Sequence, residues 1–230
     1  MEKMNAAYAT GGAARAREMV GEFLDIDIDF YATLDFRGLI ELVDAVGGIT
    51  VDSNLAFTEN NYDDPSNKVR IEKGLNNLDG AEALAYARMR KKDPRGDFGR
   101  QDRQKEVIVE VLSELASFNS LSKLPSILTA MQPHLTTNAR SNDILSIASN
   151  YTSTFNNVEN LSLNGYDDRE YFPHYGFSVY VWHPHEDSLK EVQQELKNHL
   201  EATGVQPSEI RSANEDDVAI PTDDSRSTES

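Results

Sequence analysis

Ala16, Met19, Val20, Phe23 and Leu24 recur at i, i+3, i+4, i+7 and i+8, the stripe of an amphipathic helix beginning after Gly11-Gly12. Asp29 to Asp35 then alternates Phe30, Ala32 and Leu34 in the manner of a strand. Phe36, Leu39, Ile40, Val43 and Val46 fall on one face of a second helix, which Gly47-Gly48 should close in a left-handed conformation. Ile49-Thr50-Val51 reads as a short strand. From Asp52 to Gly74 the periodicity lapses, and Asn60, Asn61, Asp63, Asp64, Pro65 and Asn67 predict a long polar loop. A loop of that size within a compact domain is often functional.

Helical periodicity returns over Gly80–Ala87 and runs through a long helix from about Phe98 to Ser117. Leu121–Met131 and Asn142–Phe155 also read as helices. Val158–Leu163 and Phe177–Trp182 read as strands, the second alternating Phe177, Val179 and Val181, and the aromatic stretch Tyr171–Trp182 is expected to be sheet core, with the wall of an apolar groove as the alternative for some of its residues. A last helix carries Leu189, Val192, Leu196 and Leu200 and should stop at Gly204. Strands interleaved with helices predict an α/β layered domain, with strand order left open. Beyond it, residues 204–230 are acidic and nearly devoid of bulky apolar side chains, the composition of a disordered, solvated tail.

Composition narrows the class. Of 230 residues, 39% are apolar, with nine Phe and nine Tyr, enough to build a core and exclude wholesale disorder. The lack of cysteine excludes thiol catalysis, cysteine metal sites and a disulfide scaffold. A net charge of −17 argues against general nucleic-acid binding while permitting a local anion site. No apolar run is long enough to span a membrane. Met1–Thr10 has neither the basic nor the apolar region of a signal peptide.

One stretch runs against the acidic background. Arg88 to Lys105 (RMRKKDPRGDFGRQDRQK) holds eight basic and three acidic residues, a net +5, leaving −22 on the rest of the chain. Concentrated like charge repels itself and calls for a reason. On the long helix, Val107, Ile108, Val111, Leu112 and Leu115 mark the expected core face, and extending it backward in steps of three and four reaches Gln104, Arg103 and Arg100. Unpaired guanidinium groups are costly to bury, so an anionic partner is expected there. The free N–H groups of the helix start suit phosphate, and the planar arginine fork grips its oxygens in pairs. Arg88 and Arg90, two residues apart, would face one side of an extended segment. The turn containing Pro94 and Gly96 would bring them beside Arg100, forming a phosphate or pyrophosphate clamp. The simpler reading of such a run is a solvated surface, with Asp97 serving as a helix N-cap.

Ala83–Gln104 (ALAYARMRKKDPRGDFGRQDRQ) closely resembles the arginine-rich signature of LytR–CpsA–Psr proteins, as do Asn5-Ala6-Ala7-Tyr8 before a Gly-Gly turn and Phe36–Val51 (FRGLIELVDAVGGITV). The resemblance extends from Lys3 to about Leu200. It implies a phosphotransferase at the outer face of a Gram-positive-type envelope, moving a teichoic acid- or capsule-like glycopolymer from a polyprenyl pyrophosphate carrier to peptidoglycan. The implied fold is a three-layer α-β-α sandwich with a mixed central sheet and an apolar groove for lipid, occupying residues 1–203. Carried over onto this sequence, Arg88, Arg90, Arg100 and Gln104 would bind pyrophosphate. Arg103 would be a weaker member, and Asp97 the candidate catalytic carboxylate, either assisting deprotonation or orienting an arginine.

The resemblance also implies a membrane helix and first strands with metal-binding aspartates upstream of Asn5, where this sequence has four residues. The chain is therefore expected to be a fragment, with a reduced form as the alternative. The Mg or Mn of full-length relatives is not expected to bind firmly, turnover is not expected, and a sheet edge should lie exposed. The competing class is a non-catalytic transcriptional attenuator or polymer-binding module; a DNA-contacting role would want a basic recognition helix on the surface. His183-Pro184-His185 is either a metal pair or an ordinary packing feature.

Overall fold

The computed structural model describes residues 3–116, 122–150, 160–173 and 175–203. Helix α1 spans Ala7–Leu24, bent at Gly11 and Gly12, where Gly12 takes a φ of 64°, and the regular amphipathic part follows the pair as its spacing predicts. Strand β1 (Ala32–Leu34) leads into α2 (Phe36–Val46). The Asp35 side chain caps α2 by accepting from the Gly38 N–H at 2.7 Å. Gly47, at φ 99°, ends it and places the Gly48 N–H on the Val43 carbonyl.

Four strands follow: β2 (Ile49–Ser53), β3 (Phe57–Asn60), β4 (Lys68–Ile71) and β5 (Gly74–Leu78). The expected loop over Asp52–Gly74 therefore contains β3, β4 and the adjoining ends of β2 and β5, with irregular chain at residues 54–56, 61–67 and 72–73. Each strand has four or five residues and turns only one or two apolar side chains inward (Phe57 on β3, Val69 and Ile71 on β4), too few to stand out between Asn and Asp clusters. Helix α3 (Gly80–Arg88) opens with a capping box. Asp79 accepts from the Glu82 N–H at 2.9 Å, and Glu82 accepts from the Asp79 N–H at 3.1 Å. A Cβ at Gly80 would lie 2.1 Å from the Ile40 carbonyl oxygen, so only glycine lets α3 approach α2 this closely.

Helix α4 (Asp97–Ala116) packs on α3 and β2, and the core joins Val43, Val51, Ile71, Tyr86, Met89, Val107 and Val111 among others. Next come α5 (Leu124–Met131), β6 (Leu135–Thr137) and α6 (Ser141–Asn150). A hairpin of β7 (Gly165–Phe172) and β8 (Phe177–Pro184) precedes α7 (Glu186–Thr203), which meets α1 through a Gln193 side-chain N–H donating to the Phe23 carbonyl at 2.8 Å. No described helix is long and apolar enough to cross a membrane.

The α/β class expected from the sequence is observed. Among the described residues the strands form four two-stranded antiparallel sheets, β1-β6, β2-β5, β3-β4 and β7-β8, in place of one mixed sheet. Each strand thus has one strand neighbour and one outer edge without a strand. The strand expected at Val158–Leu163 is irregular over 160–163, its first two residues lying outside the described region. The true strand is β7, whose sequence GYDDREYF lacks apolar alternation because both faces are largely wet. The Tyr171–Trp182 stretch is likewise not core. Phe172 and Val181 are buried, but Tyr171, Tyr175, Phe177 and Tyr180 are exposed; among the described residues the two strands pair only with each other, and most of their side chains stay in contact with water. The expected acidic tail, Gly204 and the last five residues of the helix expected at Asn142–Phe155 lie outside the described residues.

Candidate anion-binding site

The segment between α3 and α4 is folded by its own short-range chemistry. Met89 is extended (ψ 128°) and buried, so Arg88 and Arg90 on either side of it emerge toward solvent. A turn follows in which the Gly96 N–H donates to the Asp93 carbonyl at 2.9 Å and the Arg95 N–H donates to Asp93 Oδ1 at 2.8 Å. Gly96 sits at φ +59°, a region that favours glycine, and releases the chain into α4.

Arg103 on α4 pins this turn from within. Its side chain is 4% exposed and faces an Asp93 carboxylate that is 1% exposed, at 2.6 Å. Its remaining N–H groups donate to the Tyr86 carbonyl at 3.2 Å and to the Met89 carbonyl. The guanidinium also lies 5.9 Å from the ring centres of Phe57 and Tyr86. A Cβ at position 99 would come within 1.8 Å of Asp93 Oδ2, so Gly99 makes room for the carboxylate. The Arg103 hydrogen bond, helped by the Arg95 N–H, holds the Asp93 carboxyl below the usual carboxylate range. Behind it, burial and a 2.6 Å hydrogen bond to Glu106 push the Tyr86 hydroxyl up.

Two expectations are corrected here. The buried face of α4 runs through Gly99, Arg103, Val107 and Val111 in steps of four, while Ile108 and Leu112 are exposed. Of Arg100, Arg103 and Gln104, only Arg103 is therefore buried. Gln104 is exposed and Arg100 is partly so. The anion that meets the buried guanidinium is Asp93 of the same chain, not a ligand. Phe36, placed by its spacing on the packed face of α2, is also exposed, because it stands in the first turn beyond the reach of the core.

Arg88, Arg90, Arg100 and Gln104 line one open cleft of about 750 Å³, together with Phe36, Glu59, Lys91 and Lys92. Asp97, the first residue of α4, is shared between two of the arginines. Its Oδ1 lies 2.7 Å from Arg100 and 3.4 Å from Arg90, and its Oδ2 accepts from Gln101 at 3.3 Å. Among the described residues, Arg100 Nε is buried without a hydrogen-bond partner. Arg88 is held differently, over the Phe36 ring at 4.8 Å and the Tyr62 ring at 5.5 Å. Lys92 meets Glu59 at 3.2 Å. Five cations line the cleft against Glu59 and Asp93, with Asp97 beside two of the arginines, and this excess of positive charge suits a phosphorylated ligand. A second cleft of about 590 Å³ is lined by Asp44, Asp79, Glu82 and Glu114 and by no Lys or Arg, and would repel a phosphorylated ligand.

Asp168, Glu170 and His183 bring ligand atoms within 4.8 Å of one another on the β7–β8 hairpin, and none of them lines the cleft. His183 Nε2 lies 3.2 Å from Glu170 Oε1. His183 and His185 each lie 5.5 Å from the Tyr166 ring, a packed arrangement. The residues that spacing did not reveal are Asp93, Phe36 and Tyr62. Asp93 and Tyr62 sit in polar stretches with no periodicity, and all three act through partners at least ten positions away.

The sequence matches the profile of the LytR_cpsA_psr family over residues 1–198. A polyisoprenyl-teichoic acid–peptidoglycan teichoic acid transferase, TagU of Enterococcus faecalis, is 41% identical over 202 residues, covering 86% of this chain and 61% of the relative. The chain spans about three fifths of the length of the curated TagU relatives it matches first. Among solved structures, Bacillus subtilis TagV superposes with a TM-score of 0.73 at 36% identity, covering 86% of this chain and 74% of that one. TagT bound to LI-WTA gives 0.67 at 29% identity, covering 89% and 72%.

Proposed function

The chain belongs to the LytR_cpsA_psr family, and from that premise we propose that its arginine cleft holds the pyrophosphate of a polyprenyl-linked anionic glycopolymer during transfer to peptidoglycan. The polymer is of the teichoic acid or capsule type, and the setting is the outer face of the cytoplasmic membrane. The observation that carries this reading is the convergence of Arg88, Arg90, Arg100 and Gln104 on one cleft, while the other two arginines of the signature are already paired, Arg95 with Asp102 and Arg103 with Asp93.

The residue types suit phosphoryl transfer, which asks for preplaced positive charge more than for covalent chemistry from the protein. A peptidoglycan hydroxyl oxygen bonds to the phosphorus that carries the glycopolymer, the bond from that phosphorus to the bridging oxygen breaks, and the lipid phosphate departs with the electron pair. Arg90 and Arg100 meet the charge that grows on the phosphate oxygens. Asp97 sits between them, where its carboxylate orients both guanidinium groups and is the candidate acceptor of the hydroxyl proton.

The family implies a divalent cation, Mg or Mn. Such an ion needs carboxylate oxygens not already held by other charges. Asp97 is shared by Arg90 and Arg100, Glu59 meets Lys92, and Asp93 is locked to Arg103. The described cleft residues do not fit a divalent ion.

Titrating a short polyprenyl pyrophosphate into the chain and into Arg100→Ala tests the assignment. A charged hydrogen-bonded contact of this kind contributes about 1.5–3 kcal/mol, so a loss of tenfold or more in affinity is expected. Equal affinities would remove the cleft from the reading.

A further inference from the structure

We infer that Phe36 and Tyr62 form an aromatic seat that positions Arg88 for the pyrophosphate, making the loop over residues 61–67 a working part of the site. The inference rests on the proposed function and extends it to residues outside the arginine-rich segment.

The three guanidinium groups of the cleft are held in two distinct ways. Arg90 and Arg100 lie against the Asp97 carboxylate, which takes up part of their hydrogen-bonding edge. Among the described residues, Arg88 pairs with no carboxylate; the Phe36 ring centre lies 4.8 Å from its guanidinium carbon and the Tyr62 ring centre 5.5 Å away. Stacking on a ring uses the face of the guanidinium plane and leaves the N–H donors at its rim free. An arginine held in this way keeps its orientation and its full set of donors for an incoming anion. A carboxylate in the same place would compete with the ligand.

The seat is itself braced. The two rings meet edge to face, 5.6 Å apart at 83°. The next residue in each segment makes a second, parallel bridge, as Arg37 on α2 grips Asp63 through two hydrogen bonds of 2.7 and 2.9 Å. Within the loop, the Asn61 side chain accepts from the Asp63 N–H at 2.9 Å, and the Asn67 N–H donates to the Asp64 carbonyl at 2.9 Å. Phe36-Arg37 and Tyr62-Asp63 thus clamp the first turn of α2 to the loop, and Arg88 lies against the joint. Tyr62 and Phe36 are both exposed, so replacing either leaves the core untouched.

Calorimetric titration with inorganic pyrophosphate at low salt tests the seat, using the chain as it stands and the variants Arg100→Ala, Arg88→Ala, Tyr62→Ala, Tyr62→Phe and the double variant Arg88→Ala/Tyr62→Ala. An exposed cation–π contact predicts an affinity loss of about two- to fivefold for Tyr62→Ala. Tyr62→Phe should restore the affinity, and Tyr62→Ala should have no further effect once Arg88 is gone. Unchanged affinity in Tyr62→Ala, or an equal loss with and without Arg88, overturns the seat and leaves the proposed function standing. No binding by the unmodified chain, or no loss in Arg100→Ala, overturns both.

Discussion

Asp93 and Arg103 show how one buried pair sets the geometry of a surface site. Both side chains are buried, and together they fasten the turn before α4 to the end of α3, between Arg88 and Arg100. Removing one partner strands a charge in a dry site, which costs about 3–5 kcal/mol. Arg103→Met should lower the stability measured in urea by that amount. Gly99→Ala should also destabilise, because its Cβ would collide with the Asp93 carboxylate. The pair further predicts a pH dependence. Since the Asp93 carboxyl is held below its ordinary value, its contribution is fully present above the unfolded pKa of about 3.9 and is lost as pH falls through the folded one. Acid titration followed by circular dichroism should therefore show a smaller loss of stability below about pH 4 in Asp93→Asn than in the parent chain.

The elements around the site differ in how their ends are made. Helix α3 carries both halves of its capping box in adjacent sequence, Asp79 and Glu82, and its last residue is Arg88. Asp79→Ala should cost about 0.5–2 kcal/mol in thermal or urea unfolding, with a weaker effect on anion affinity, since the cap lies two turns from Arg88. Helices α2 and α3 were legible because caps and apolar spacing are local properties, read over four to eleven residues. Strands β3 and β7 were not. Phe57 is the one buried side chain of β3, and β7 is a hairpin strand with charged residues on both faces. A strand is stabilised by a partner elsewhere in the chain, and no residue of YDDREY announces that its partner is SVYVWH.

Across the whole molecule, the distribution of charge separates two surfaces. The arginine cleft concentrates cations on a chain with a net charge of −17. Pyrophosphate affinity should therefore fall as salt rises, and duplex DNA should produce no mobility shift even at low ionic strength, because the rest of the surface repels a phosphate backbone. The four small antiparallel sheets, unlike one continuous sheet, place α2, α3 and α4 around strands β2 to β5, and that packing brings Phe36, Tyr62 and Arg88 to one rim.

The arginine-rich segment, the glycine pair that ends α2 and the resemblance to the LytR–CpsA–Psr family all lay open in the order of the residues, because each is written in neighbouring positions. The order of the residues did not say which arginine turns inward. A periodicity of three and four assigned Arg100, Arg103 and Gln104 alike to the core, and the fold buries Arg103 alone because Asp93, ten positions earlier, supplies its counter-charge there. Nor did it say that a loop rich in Asn and Asp would bring a tyrosine to Arg88. Those outcomes depend on contacts between segments distant in the chain, and such contacts exist only once the helices have packed.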